Sequence, residues 1–344
     1  MCTRSVRFVP LLFAAVFAAF AQQHEVPDRQ ITLDVVVTNK SGKAVPGLTE
    51  KDFSLLDNKQ PQKILSFAAV NGGASAPPVE AVIVFDQVNT GFRPSSYARE
   101  EVDKFLRGNG GELPLPVSLA VLTDAGIAAG NAATRDGKVL AASLDQSGIG
   151  LRAINRDQGV YGAGDRLDLS LRALAQLADH EAAVPGRKLV LWIGSGWPLL
   201  TGPEIQLSDK NRKTIFNQIV AMSDALGHAQ ITLYSIDPLG TADAGTARTF
   251  YYEEFLKGVK KPSQAQMGNL AVQVLSVQSG GRVFNSSNNI AGEVTNALAD
   301  AASYYVITFE GLRGDGPNEY HALDLKLDER GLTAHTRTGY YAQP

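Results

Sequence analysis

Two hydrophobic periods divide the chain. Residues 81–85 (AVIVF), 117–122 (VSLAVL), 189–193 (LVLWI) and 231–236 (ITLYSI) are short, nearly unbroken apolar runs. That pattern predicts strands buried on both faces of a parallel sheet. Between them, apolar residues recur every three or four positions: Ala98, Val102, Phe105 and Leu106; Leu167, Leu171, Leu174 and Leu177; Ile215, Phe216, Ile219, Met222 and Leu226. These predict amphipathic helices. The first is capped by Ser95 or Ser96 and ended by the glycines of 108–111; the second covers 165–177; the third covers 208–226 and stops at Gly227. Two further helices, 270–277 and 290–302, flank a short strand at 281–284, and the polar stretch 241–263 reads as a surface excursion. Strands alternating with helices over 79–302 predict an α/β unit, a mostly parallel sheet covered by helices on both faces.

Towards both chain ends the period changes to two. In 31–38 (ITLDVVVT), Ile31, Leu33, Val35 and Val37 share one face. Residues 53–56 and 64–67 read as two more strands, and 71–78 (NGGASAPP in 71–78) as a linker. After the last helix, 304–309, 322–327 and 332–340 return to strand patterns. The β segments 30–70 and 303–342 are each thin for independent stability. The simplest packing joins them in one small antiparallel β domain, with the α/β unit inserted between its halves.

The first residues carry a different signal. Arg4 and Arg7 precede an apolar run at 8–20, and Ala19-Phe20-Ala21 is a small-x-small site. This predicts a signal peptide over 1–21, cut after Ala21, and a secreted or periplasmic protein. The apolar run is shorter than the ~20 residues of a membrane span, and no later segment predicts one. The single cysteine, Cys2, lies within the leader, so the mature chain is expected to hold no disulfide or thiolate metal site. The net charge of −3 and the lack of a Lys/Arg cluster argue against a nucleic-acid partner and against bulk attraction to an anionic membrane.

Asp86 ends the first buried run and is followed by Asn89 and Thr90. Ligands of open α/β sheets bind outside the carboxyl ends of the strands. Several oxygens over one turn of chain outline a hard-cation site, or else an Asx-type polar loop. Ser195 also follows a buried strand, which raises a serine hydrolase as an alternative, but Ile193 and Trp197 stand where a nucleophile elbow needs glycine. None of His180, His228, His321 and His335 has a spacing that marks it as a base. Gly148-x-Gly150-x-x-Ala153 imitates a dinucleotide fingerprint without its strand–helix context, and reads as a loop. The aromatic group Phe250, Tyr251, Tyr252 and Phe255 is read as partly buried.

The sequence resembles a von Willebrand factor type A (VWA) domain, and within that class the VWFA-related domain family of Acidobacteria. The resemblance is carried by 45–67 (VPGLTEKDFSLLDNKQPQKILSF), 85–90 (FDQVNT), 233–240 (LYSIDPLG) and 336–342 (TRTGYYA), in this order. It implies a VWA-like doubly wound sheet and a non-enzymatic module that recognises a protein partner. It also implies a metal-ion-dependent adhesion site, in which three loops hold Mg²⁺ or Mn²⁺. Carried onto this chain, the site is degenerate: Asp86 and Thr90 match, Val88 replaces a serine, Asp165 stands where threonine is usual, and Ser195 where an aspartate is usual. The expected ligands are therefore Asp86, Thr90 and Asp165, with Asn89 and Ser195 on the partner-binding rim. A structural envelope protein with no ligand is the remaining alternative.

Overall fold

A computed structural model describes residues 29–71, 77–130, 132–148, 160–200, 206–240 and 251–344. The expected leader, most of the linker at 71–78, Phe250 and Gly150 lie outside the described residues. The strands are β1 (Gln30–Thr38), β2 (Phe53–Asp57), β3 (Gln60–Gln62), β4 (Ile64–Val70), β5 (Val79–Asp86), β6 (Glu112–Thr123), β7 (Gly126–Ala129), β8 (Thr134–Asp136), β9 (Arg187–Ile193), β10 (Ile231–Ile236), β11 (Val283–Phe284), β12 (Tyr304–Glu310), β13 (Glu319–Leu327), β14 (Thr333–His335) and β15 (Gly339–Ala342). The helices are α1 (Phe92–Arg107), α2 (Gly137–Gln146), α3 (Val160–Ala182), α4 (Asp209–His228), α5 (Val272–Gln278) and α6 (Ile290–Ala299).

The protein is a mixed α/β fold with one mostly parallel sheet and two antiparallel ones. The central sheet has the order β11-β10-β9-β5-β6-β7, parallel from β11 to β6, with β7 and β8 antiparallel to β6. Its unbroken apolar strands serve two cores at once. Val82, Val84, Val190, Trp192 and Leu233 pack with apolar residues of α3, α4 and α5. Ala81, Ile83, Phe85, Leu191 and Ile193 pack with those of α1, α2 and α6.

The two other sheets have the orders β14-β1-β12-β4 and β15-β13-β2-β3, so strands from both chain ends interleave in each. They enclose a shared core of Leu33, Val35, Phe53, Leu55, Tyr305, Ile307 and Phe309. Within it, buried Asp57 lies 2.8 Å from Nδ1 of His321 and accepts a hydrogen bond of 2.5 Å from the Tyr340 hydroxyl. Successive residues of β15 face opposite ways, as strand geometry requires. Tyr340 joins the sandwich core, whereas Tyr341 meets Phe216 of α4 edge-on at 5.9 Å.

Arg187, the first residue of β9, ties the sandwich to the α/β unit. It is 3% exposed and donates to the Asp300 carbonyl at 3.0 Å. Its guanidinium lies 4.6 Å over the Tyr304 ring and 3.6 Å from the Asp34 carboxylate of β1.

Several elements differ from the sequence expectation. The stretch 332–340 is two strands, β14 and β15, in different sheets, and β3, β7 and β8 had no counterpart in the hydrophobic pattern. α1 starts at Phe92 rather than at the serines, because Pro94 fits the first helical turn, where its missing N–H has no intrahelical acceptor. α3 starts at Val160, five residues before the expected start. α2 was not predicted, although Asp136 caps it and Leu140, Ala141 and Leu144 are buried at helical spacing. The aromatic stretch is partly buried: Phe255 packs with Ala271 and Val274, and Tyr251 and Tyr252 lie against them. Among the described residues no helix is long and apolar enough to cross a membrane.

Candidate functional site

β5 lies between β6 and β9, and the chain leaves it through α1 towards β6 while β9 leads through α4 to β10 on the other side. The crossovers thus diverge at the carboxyl ends of β5 and β9, and such a switch point opens a crevice. Residues 86–90 and 194–195 are the segments that emerge there.

Asp86 organises the crevice. It is 2% exposed. Its Oδ1 accepts the backbone N–H groups of Val88 at 3.0 Å and Asn89 at 2.9 Å. Its Oδ2 accepts the Asn89 side-chain amide at 2.8 Å and the Trp192 indole N–H at 3.0 Å. Burial pushes the Asp86 carboxyl above the ordinary carboxylate range, against the opposing pull of these donors. The Asn89 amide also donates to Ser170 Oγ of α3 at 2.8 Å, and Ser170 donates to the Arg166 carbonyl at 2.8 Å. One amide nitrogen therefore links the β5 loop to α3. On the other side, the Ser195 N–H donates to Thr90 Oγ1 at 3.1 Å.

Gly194 makes the close approach feasible. A Cβ there would lie 2.8 Å from the Asp86 Cβ and 3.1 Å from Thr90 Oγ1, too near for any side chain. The rim is apolar and cationic beyond it, with Phe92 48% exposed at the start of α1 and Arg93 exposed beside it. Asn89 Oδ1 and Trp197 Nε1 are buried with no hydrogen-bond partner among the described residues.

The structure thus brings Asp86, Asn89, Thr90 and Ser195 together. Asp165 stands on the exposed side of α3 rather than on a loop. The longer helix places Ser170, not Asp165, against the group. Trp192, Ser170, Gly194 and Phe92 were not singled out in the sequence. Trp192 carried a usable signal, since an indole inside a fully apolar strand needs an acceptor.

A divalent ion does not fit this donor set. Mg²⁺ and Mn²⁺ require several oxygens with free lone pairs. The two Asp86 oxygens already accept four N–H bonds, which fills their usual capacity. Val88 is buried in the apolar core, and Asp165 is on the helix surface.

The described histidines lie away from Ser195. His321 pairs with Asp57, and His335 hydrogen-bonds Thr38 at 2.9 Å, both in the sandwich. His180 and His228 sit near the carboxyl ends of α3 and α4, which lead into the amino ends of β9 and β10, at the opposite sheet edge.

Fold and site together define a mixed α/β module with a polar switch-point crevice, mounted on a β-sandwich. No protein-family model and no curated protein matches the chain. Among solved structures it is similar to the pilus adhesin SpaC from Lactobacillus rhamnosus GG, at 8% identity over 87% of this chain and 49% of that chain, with a TM-score of 0.37. It is similar to the human COPII-coat protein Sec24c at 11% identity over 76% of this chain and 44% of that one, TM-score 0.34. The third is the pilus adhesin RrgA from Streptococcus pneumoniae, at 13% identity over 53% of this chain and 28% of that one, TM-score 0.24. The chain spans less than half the length of each.

Proposed function

We propose that the protein is a secreted or periplasmic, non-enzymatic binding module of the VWA kind, which takes a protein partner at the crevice between the β5 and β9 loops without a bridging metal. The observation that carries this is the convergence of Asp86, Asn89, Thr90 and Ser195 at the topological switch point. Two further features support it. Phe92 is a large apolar side chain left in solvent beside the crevice, and aromatic residues are enriched at binding hot spots. The buried, unpartnered Asn89 Oδ1 and Trp197 Nε1 are polar groups that an arriving ligand or water would satisfy. The metal-free form follows from the saturated Asp86 carboxylate.

The test compares wild type, Phe92→Glu and the distant surface variant Val139→Glu for capture of a partner from the envelope fraction of the producing cell, with and without chelator. The proposal expects one captured protein, retained with chelator and with Val139→Glu and lost with Phe92→Glu. Capture indifferent to Phe92→Glu moves the interface elsewhere, and capture abolished by chelator restores a metal. Labelling of Ser195 by an active-site serine probe would establish the hydrolase instead.

A further inference from the structure

We propose that the outer edge of β4 is a dimerisation edge, across which a second copy of this chain pairs its own β4 antiparallel about a two-fold axis at Ala68. β4 is the last strand of its sheet, paired only with β12 among the described residues. An open edge presents unpaired N–H and C=O groups, and proteins normally blunt it with proline, charge, shortness, a β-bulge or a covering segment. Four of the other edges show such devices. β3 contains Pro61, and β14 and β11 are three and two residues long. β15 is flanked by 311–314, whose Leu312 N–H donates to the Tyr340 hydroxyl and whose Gly314 N–H donates to the Gln343 carbonyl. β4 reads ILSFAAV, with no charge and no proline; its bulge at Leu65 protects only the start of the strand and leaves 66–70 regular.

Its register favours a second copy as the occupant. Leu65 is a bulge between Ile64, opposite Phe309, and Ser66, opposite Thr308, so the regular run is 66–70 with Ala68 at its centre. Ala69 pairs with Tyr305 and Phe67 with Ile307, two residues of the sandwich core. Phe67 is held there by Phe53 at 5.5 Å and Tyr305 at 5.7 Å. Ala69 shares that face, yet it is exposed, because nothing larger flanks it on the open side. With the two-fold at Ala68, Phe67 of one copy stands opposite Ala69 of the other. Directly opposite residues share a face with Cβ atoms about 4.5–5.5 Å apart. Each Phe67 then covers the other copy's exposed Ala69, Ser66 meets Val70, and no like charges oppose each other. The two four-stranded sheets become one continuous sheet, through an interface that is self-complementary as a two-fold contact requires.

The test uses the full chain, with mass in solution measured by light scattering across dilution. Wild type is expected at twice the chain mass, and Ala68→Lys, which sets two ammonium groups across the axis, is expected to weaken the dimer at least tenfold. A second arm keeps the proposal falsifiable if the lysine variant folds poorly. In a Cys2→Ser background, Ala68→Cys is expected to form a disulfide-linked dimer under mild oxidation, whereas Val139→Cys, also exposed on α2, stays monomeric. A monomeric wild type at about 100 μM would overturn the proposal. So would a dimer indifferent to Ala68→Lys, or Ala68→Cys cross-linking no faster than Val139→Cys.

Discussion

Trp192→Phe tests the account of the crevice most directly, because Trp197→Phe supplies an internal control. Both indoles are buried and stand edge to face at 5.2 Å, but among the described residues only Trp192 donates, to Asp86 at 3.0 Å, and the Trp197 N–H has no partner. Either substitution removes about 40 Å³ of side chain, which at about 24 cal/mol per Å³ costs on the order of 1 kcal/mol. Trp192→Phe also removes a hydrogen bond to a buried carboxylate, about 1.5–3 kcal/mol more. The total, about 3 kcal/mol, lowers the melting temperature by roughly 6 °C in a chain of this size. Trp197→Phe should lower it by about 2 °C or less, since an unpaired N–H leaves with it. The pH dependence follows from the raised Asp86 carboxyl. A carboxyl raised on folding favours the native state below its unfolded value of 3.8, and that contribution is lost as pH rises through the folded value. Losing the indole donor raises the folded value further, so the extra cost of Trp192→Phe is largest near neutral pH and shrinks in acid. Thermal melts of both variants at about pH 7.5 and about pH 4.5 measure this. Equal destabilisation of the two, or an extra cost unchanged in acid, would refute the saturated-carboxylate account.

Other consequences are as direct. Chelator-stripped protein should keep its melting temperature within about 1 °C when Mg²⁺ or Mn²⁺ is added to about 5 mM, whereas a bound ion would raise it. Burial, with nearby Asp237, pushes the Glu293 carboxyl of α6 up to about 7 from 4.5. Its contribution is present below pH 4.5 and lost as pH rises through about 7, so stability should fall over that window by about 3 kcal/mol, and Glu293→Gln should flatten the fall in chemical denaturation. Arg187→Met leaves Asp34 half-buried and the Asp300 carbonyl without its donor. It should cost about 3 kcal/mol or more, and hydrogen exchange should rise first in β1 and β12.

Much of the fold was legible from hydrophobic period. The runs ending at Phe85, Leu122, Ile193 and Ile236 predicted strands covered on both faces, and the apolar stripes of α1, α3 and α4 named residues that cover them. Asp86 was legible as well, since a carboxylate after such a strand must face the crevice or lie buried. Helix boundaries were not, because apolar spacing marks only the buried face, and the first turns of α1, with Pro94, and of α3, with Gly164, precede it. That error of a few residues moved Asp165 onto the helix surface and brought Ser170 to the site. Sequence alone determined that Asp86 would need partners. Only the tertiary structure decided that Trp192 and Asn89, 106 and 3 residues away, would supply them. Local chemistry fixes how many lone pairs a side chain carries, whereas which donors reach them depends on strand register and on how closely Gly194 lets two loops approach.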